Sequence, residues 1–152
     1  MIEAGQKLPD FELPNQDGET RRPRDYAGKW LVLYIYPKDD TPGCTIQGKS
    51  FTATKSDYDA EGVVVVGLSQ DDAASHKAFC DKFAFTIELL ADTEGKLLGA
   101  LGAGQSEYKG TSYWNRTSFV VDPSGVVRKV YTGVKPDGHE KVLLDDIRQL
   151  KG

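Results

Sequence analysis

Two runs of apolar residues, Trp30 to Tyr36 and Val63 to Leu68, decide most of what this chain can become. Neighbouring positions in each run are apolar, so a strand made from either one buries both of its faces. Such strands belong inside a sheet covered on both sides. Neither run approaches the roughly 20 residues that a bilayer-spanning helix needs. Between them, Thr41-Pro42-Gly43 opens a helix expected to run to about Ala60. Strand, helix and strand make one βαβ unit, and a right-handed crossover would set its two strands side by side and parallel.

The remaining pattern extends that unit. Phe11, Leu13 and the cluster Asn15-Gln16-Asp17-Gly18 predict a short strand entering an N-terminal hairpin turn. A helix is expected from about Asp72 to Phe83, a strand near Glu88 to Ala91, and a helical turn or two from Glu94 to Leu101. Thr117–Val121 and Val126–Tyr131 flank Asp122-Pro123-Ser124-Gly125, the turn chemistry of an antiparallel hairpin. Pro136 to Leu150 predicts a closing helix. The expected fold class is α/β, a central mixed sheet with helices on both faces. No linker, repeat or low-complexity tract divides the chain, so residues 1–152 are expected to form one domain.

Charge and cysteine usage narrow the function. Nineteen lysines and arginines against 23 acidic residues give a net charge of -4, with no basic stripe to follow a phosphate backbone. Neither nucleic acid nor membrane is an expected partner. The N-terminus has no charged segment leading into an apolar one, so a cytoplasmic location is expected. In a reducing compartment a pair of cysteines is more often catalytic than structural, which directs attention to the surroundings of Cys44 and Cys80.

Cys44 stands just inside the helix that follows the first buried strand. With Thr41 as N-cap and Pro42 in the first helical position, the thiol falls among backbone donors that have no helical acceptor. These favour a thiolate by at most about 2 kcal/mol, so a second positive group is needed. Arg116, directly before a predicted strand, keeps its charge in any environment and is the candidate.

The residues carrying this chemistry resemble a known signature. Pro37-x-x-x-Thr41-x-x-Cys44 with Arg116 looks like the active site of the peroxiredoxins. The string from Tyr36 to Thr45, together with Asn115 to Gly125, is similar to the subfamily of bacterioferritin comigratory protein, or peroxiredoxin Q. The resemblance runs the length of the chain. It implies a thioredoxin fold, reduction of hydrogen peroxide and organic hydroperoxides through a Cys44 sulfenic acid, and recycling by thioredoxin or a similar dithiol reductant. No cofactor is expected. Thr41, Gly43, Cys44 and Arg116 would bind the peroxide, with Pro37 closing the pocket against water.

Lys49 occupies the position at which the commoner members carry a second, resolving cysteine. Other members resemble this chain in carrying it one helix later, and Phe79-Cys80-Asp81 fits that variant. Cys80 is accordingly expected to resolve the sulfenic acid as an intramolecular disulfide. Cysteines on separate helices seldom lie within the roughly 7 Å between Cα atoms that a disulfide allows, so both helices would have to loosen. Gly48 would lower that barrier. A monomer is expected, with a weak dimer as the alternative.

Other readings stay open at this point. Cys44, Phe51 and Tyr58 repeat at helical spacing and could all be core. Cys80 shares a stripe with Ala73 and Phe83 and could be structural, leaving a one-cysteine peroxidase. Arg116 could be an ordinary surface residue. His76 and Cys80 have the spacing of a metal pair, yet two histidines and two cysteines without C-x-x-C or H-x-x-x-H do not make a zinc site. His139 is expected to be solvated, and Tyr108, Tyr113 and Trp114 either wall the pocket or simply pack. A disulfide oxidoreductase would need a C-x-x-C where Thr41 stands. A non-catalytic binding module on the same fold remains the alternative from another class.

Overall fold

Asn15 makes the first turn that can be traced to its cause: its side-chain oxygen accepts from the backbone of Asp17 and Glu19, folding β1 (Leu13–Pro14) back on β2 (Thr20–Arg21). This is the expected N-terminal hairpin in the computed structural model, which describes residues 1–152. A 3-10 turn over Pro23–Tyr26 then leads to β3 (Trp30–Ile35).

β3 is the centre of the molecule. It pairs parallel with β4 (Val63–Ser69) and antiparallel with β8 (Thr117–Val121). β5 (Glu88–Ala91) adds to β4 in parallel, and β9 (Val127–Tyr131) adds to β8 antiparallel, giving the order β5-β4-β3-β8-β9. The apolar run explains the position: with side chains alternating between faces, Val32, Tyr34 and Tyr36 enter one core while Leu31, Leu33 and Ile35 enter the other.

The first core lies under α1 (Pro42–Ala53), α2 (Lys55–Ala60), α3 (Ala73–Phe83) and α5 (His139–Lys151), and it contains Cys44, Phe51, Tyr58, Phe79, Cys80 and Ile147. The second lies under α4 (Lys96–Leu101) and the N-terminal segment. Helices thus cover both faces, as expected for the thioredoxin class. No helix is long and apolar enough to cross a membrane.

Three expectations need correction. The helix after β3 does not run unbroken to Ala60 but breaks at Thr54, whose hydroxyl donates to the Ser50 carbonyl at 2.9 Å and competes with the helical ladder. Gly48 is not a loosening point: an added Cβ there would overlap the Phe85 ring, so the glycine serves close packing. His139 is buried, its Nε2 2.9 Å from Ser118 Oγ and its ring edge-on to Tyr131. It continues the inward stripe of Leu143 and Ile147.

A further hairpin, β6 (Gln105–Tyr108) with β7 (Thr111–Trp114), was not anticipated. Lys109 and Gly110, both with positive φ, make its two-residue turn.

Candidate active site

Thr41 sits at the N-cap of α1 with extended backbone, and Pro42 takes the first helical position. The first bond of the helix runs from Thr45 N–H to the Thr41 carbonyl at 2.9 Å, leaving the N–H groups of Gly43 and Cys44 without a helical acceptor. The Thr41 hydroxyl does not cap the helix. It donates to the Lys38 carbonyl at 2.9 Å, so its lone pairs remain to accept a hydrogen from elsewhere.

Arg116 reaches the same place from the other side of the sheet sequence, immediately before β8. Its Nη2 donates to Cys44 Sγ at 3.4 Å, and its Nη1 donates to Gln47 Oε1 at 2.5 Å. Cys44 itself is only 2% exposed. A cation and free backbone donors stand around this buried sulfur, placed to meet negative charge that develops on an oxygen beside it. Gly43 leaves room for the guanidinium, because a Cβ at that position would lie 2.5 Å from Arg116 Nη2 and displace it.

An open cleft of about 490 Å³ adjoins the site at Thr41 and Arg116. It is lined by Pro37, Thr41, Pro42 and Arg116 together with Tyr113 and Trp114 of β7. Tyr108 also lines it, so the three aromatics wall the pocket. Trp114 is held by a bond from Nε1 to Gln70 Oε1 at 2.7 Å.

The structure therefore brings Pro37, Thr41, Gly43, Cys44 and Arg116 together. Cys80 is placed apart from the cleft, buried in the core beneath α1 and α3, and both cysteines are free thiols. Both bear on Tyr34, whose hydroxyl is raised well above its ordinary value first by burial and then by the charges of Cys44 and Cys80. Burial likewise pushes the Cys80 thiol up to about 12, with Asp39, Asp81 and Asp17 adding to it. His76 bonds to Asp39 and the Leu90 carbonyl, and His139 to Ser118. Neither histidine bonds to Cys44, and no group of three or more metal-ligating side chains occurs. Gln47, which braces Arg116, escaped sequence reasoning, although its place one turn after Cys44 on the same helix face was a usable signal.

A thioredoxin-class sheet that presents a buried thiol at a helix start, with an arginine guanidinium 3.4 Å from the sulfur and a threonine at the helix cap, fits a thiol peroxidase. Comparison with known proteins agrees: the model of the AhpC/TSA family matches residues 4–130, and the chain belongs to that family. Within it, the chain falls with the bacterioferritin comigratory proteins, or peroxiredoxin Q. It is 37% identical over 149 residues to the Helicobacter pylori protein named peroxiredoxin bcp, covering 96% of this chain and 98% of that one. The Coxiella burnetii peroxiredoxin bcp is 40% identical over 144 residues, covering 91% and 93%. The structure of Xanthomonas campestris bacterioferritin comigratory protein, solved in the context of alkyl peroxide reduction, superposes with a TM-score of 0.91 at 31% identity, covering 99% of this chain and 100% of that one.

Proposed function

We propose that Cys44 is the peroxide-reactive thiol and Cys80 the resolving thiol of this peroxidase, acting on hydrogen peroxide and organic hydroperoxides. The Arg116–Cys44 contact carries the reading. The Cys44 thiolate attacks the terminal peroxide oxygen in line, forming an S–O bond as the O–O bond breaks. Sulfur loses two electrons to the peroxide, and the departing oxygen leaves as water or alcohol once it takes up a proton. Arg116 and the Gly43 and Cys44 N–H groups meet the charge as it moves from sulfur to oxygen, while Thr41 accepts the peroxide O–H and orients it. Pro37 and the aromatic wall shield the reacting atoms from water, and the apolar wall suits an alkyl substituent.

Cys80 then attacks the sulfenic acid, releasing water and forming an intramolecular disulfide. A dithiol protein such as thioredoxin returns both thiols by exchange. All these residues come from one chain, which supports action as a monomer, and the bacterial relatives support a cytoplasmic setting. A one-cysteine cycle is the second reading, favoured by the burial of Cys80.

Stopped-flow reaction of hydrogen peroxide with the wild type, Cys44→Ser and Cys80→Ser, with thiol counts and intact mass after one turnover, tests both. The expected result is loss of reaction in Cys44→Ser alone, an intramolecular disulfide in the wild type and a sulfenic acid in Cys80→Ser. A wild type that stops at the sulfenic acid with Cys80 free would establish the one-cysteine cycle.

A further inference from the structure

Behind the Cys44 loop lies a buried set of polar side chains that the thiol chemistry does not use. Asp39, 8% exposed, accepts from Tyr36 Oη at 2.6 Å and from Ser75 Oγ at 2.8 Å, and its Oδ2 lies 2.7 Å from His76 Nδ1. His76 has no exposed surface. Its Nε2 is 2.9 Å from the Leu90 carbonyl, which can only accept, so Nε2 carries a hydrogen. With Tyr36 and Ser75 donating to Asp39, and Tyr36 Oη also 3.3 Å from His76 Nδ1, the Asp39–His76 contact closes a buried hydrogen-bonded set in which the two side chains form a pair.

The pair joins the two cysteine-bearing segments. Asp39 stands two residues before the cap of α1, and His76 stands one turn before Cys80 on α3. The same loop is tied again by Asp39 N–H to Asp71 Oδ2 at 2.9 Å and by Lys82 Nζ to Asp40 Oδ2 at 2.7 Å. Asp40 has a φ of 57°, a left-handed conformation that a non-glycine residue keeps only when its surroundings hold it.

We propose that Asp39 and His76 are positioning residues that lock the start of α1 to α3 and so limit how readily Cys80 leaves the core to meet the oxidised Cys44. The proposal rests on the reading of Cys80 as the resolving thiol. Peroxide attack proceeds with the lock closed, because Thr41, Cys44 and Arg116 are assembled in that state. Disulfide formation requires it to open, because both cysteines are buried.

The test measures two rates in His76→Gln and Asp39→Asn after one equivalent of hydrogen peroxide. Sulfenic acid formation is followed by tryptophan fluorescence, and disulfide formation by acid quench and intact mass. The expected result is an unchanged first rate and a disulfide step about tenfold faster, the scale of losing one hydrogen bond to a charged group. Ser75→Ala, which removes one donor and leaves the pair, serves if neither pair variant folds, and should speed the same step by a smaller factor. Tyr58→Phe controls for general loss of stability by removing a bond from Tyr58 Oη to the Glu140 carbonyl, and should leave both rates as in the wild type. A disulfide step that is unchanged or slower in the folded variants, or equally faster in Tyr58→Phe, overturns the proposal and leaves Cys80 as the resolving thiol. A wild type that forms no disulfide between Cys44 and Cys80 overturns the reading of Cys80, and the proposal with it.

Discussion

Arg116 and Cys44 stand 72 positions apart in the chain, yet the guanidinium Nη2 lies 3.4 Å from the thiol sulfur. The contact is fixed from two directions. β8 pairs antiparallel with β3, which places Arg116 beside the helix start that follows β3, and Gln47 of that helix holds the other guanidinium nitrogen at 2.5 Å. A neutral brace orients the cation without cancelling its charge.

Removing the cation should therefore cost more than removing its brace. Arg116→Ala is expected to lower kcat/KM for hydrogen peroxide by about a hundredfold, the scale of losing a preorganised donor at the reacting charge. Arg116→Lys should recover little, since an ammonium cannot serve Cys44 and Gln47 with one planar fork. Gln47→Ala is expected to cost about tenfold, comparable to one hydrogen bond to a charged group. Steady-state kinetics of the three variants check the order, and equal losses for Arg116→Ala and Gln47→Ala would show that the charge itself is not what matters.

The pH dependence of disulfide formation should report where Cys80 reacts. In the core its thiol is pushed up to about 12, whereas a thiol released to water has an ordinary value near 9.0. If attack occurs after release, the rate rises about tenfold per pH unit below that ordinary value and levels off near pH 9, because the thiolate is the nucleophile. Attack from within the core would keep rising toward pH 12. Quenched-flow mass analysis between pH 6 and about pH 10 distinguishes the two.

What could be read in the sequence depended on whether the cause was local. The βαβ unit was legible because β3 and β4 are apolar at consecutive positions, and Thr41-Pro42-Gly43-Cys44 was legible because cap, proline and thiol are neighbours. The hairpin β6–β7 was not, since every residue of β6 is exposed and has no apolar alternation to betray it. Its turn residues Lys109-Gly110 were the available signal. Gln47 and the Asp39–His76 pair depend on partners 69 and 37 positions away, which only the folded sheet brings near. His139 differs: it was expected to be solvated, although its spacing to Leu143 and Ile147 was a local signal of an inward face.

That buried histidine makes stability depend on acid. Burial lowers His139 from its ordinary 6.5, with Asp146 opposing the shift in part. Between the folded and unfolded values the unfolded chain binds a proton that the folded chain does not. Stability therefore rises with pH through that window and is lost as the pH falls below about 6.5. His139→Gln can keep a bond to Ser118 without titrating, so its Tm should fall less than that of the wild type between about pH 7.5 and about pH 5. Equal falls in the two proteins would assign the acid sensitivity to other groups.

Gly43→Ala tests the geometry of the site with the smallest possible change. The added Cβ would stand 2.5 Å from Arg116 Nη2 and 3.3 Å from both Arg116 Cζ and Pro136 Cγ, so the guanidinium has to move. Backbone strain is not involved, because alanine suits a helical position better than glycine by about 1 kcal/mol. The variant should therefore keep or slightly raise its Tm while kcat/KM falls about tenfold to a hundredfold, between the losses argued for Gln47→Ala and Arg116→Ala. Tm and kcat/KM moving in opposite directions would separate the positioning of Arg116 from the integrity of α1. If activity survives intact, the guanidinium has found an equivalent place beside Cys44, and the 3.4 Å contact is not the feature on which catalysis depends.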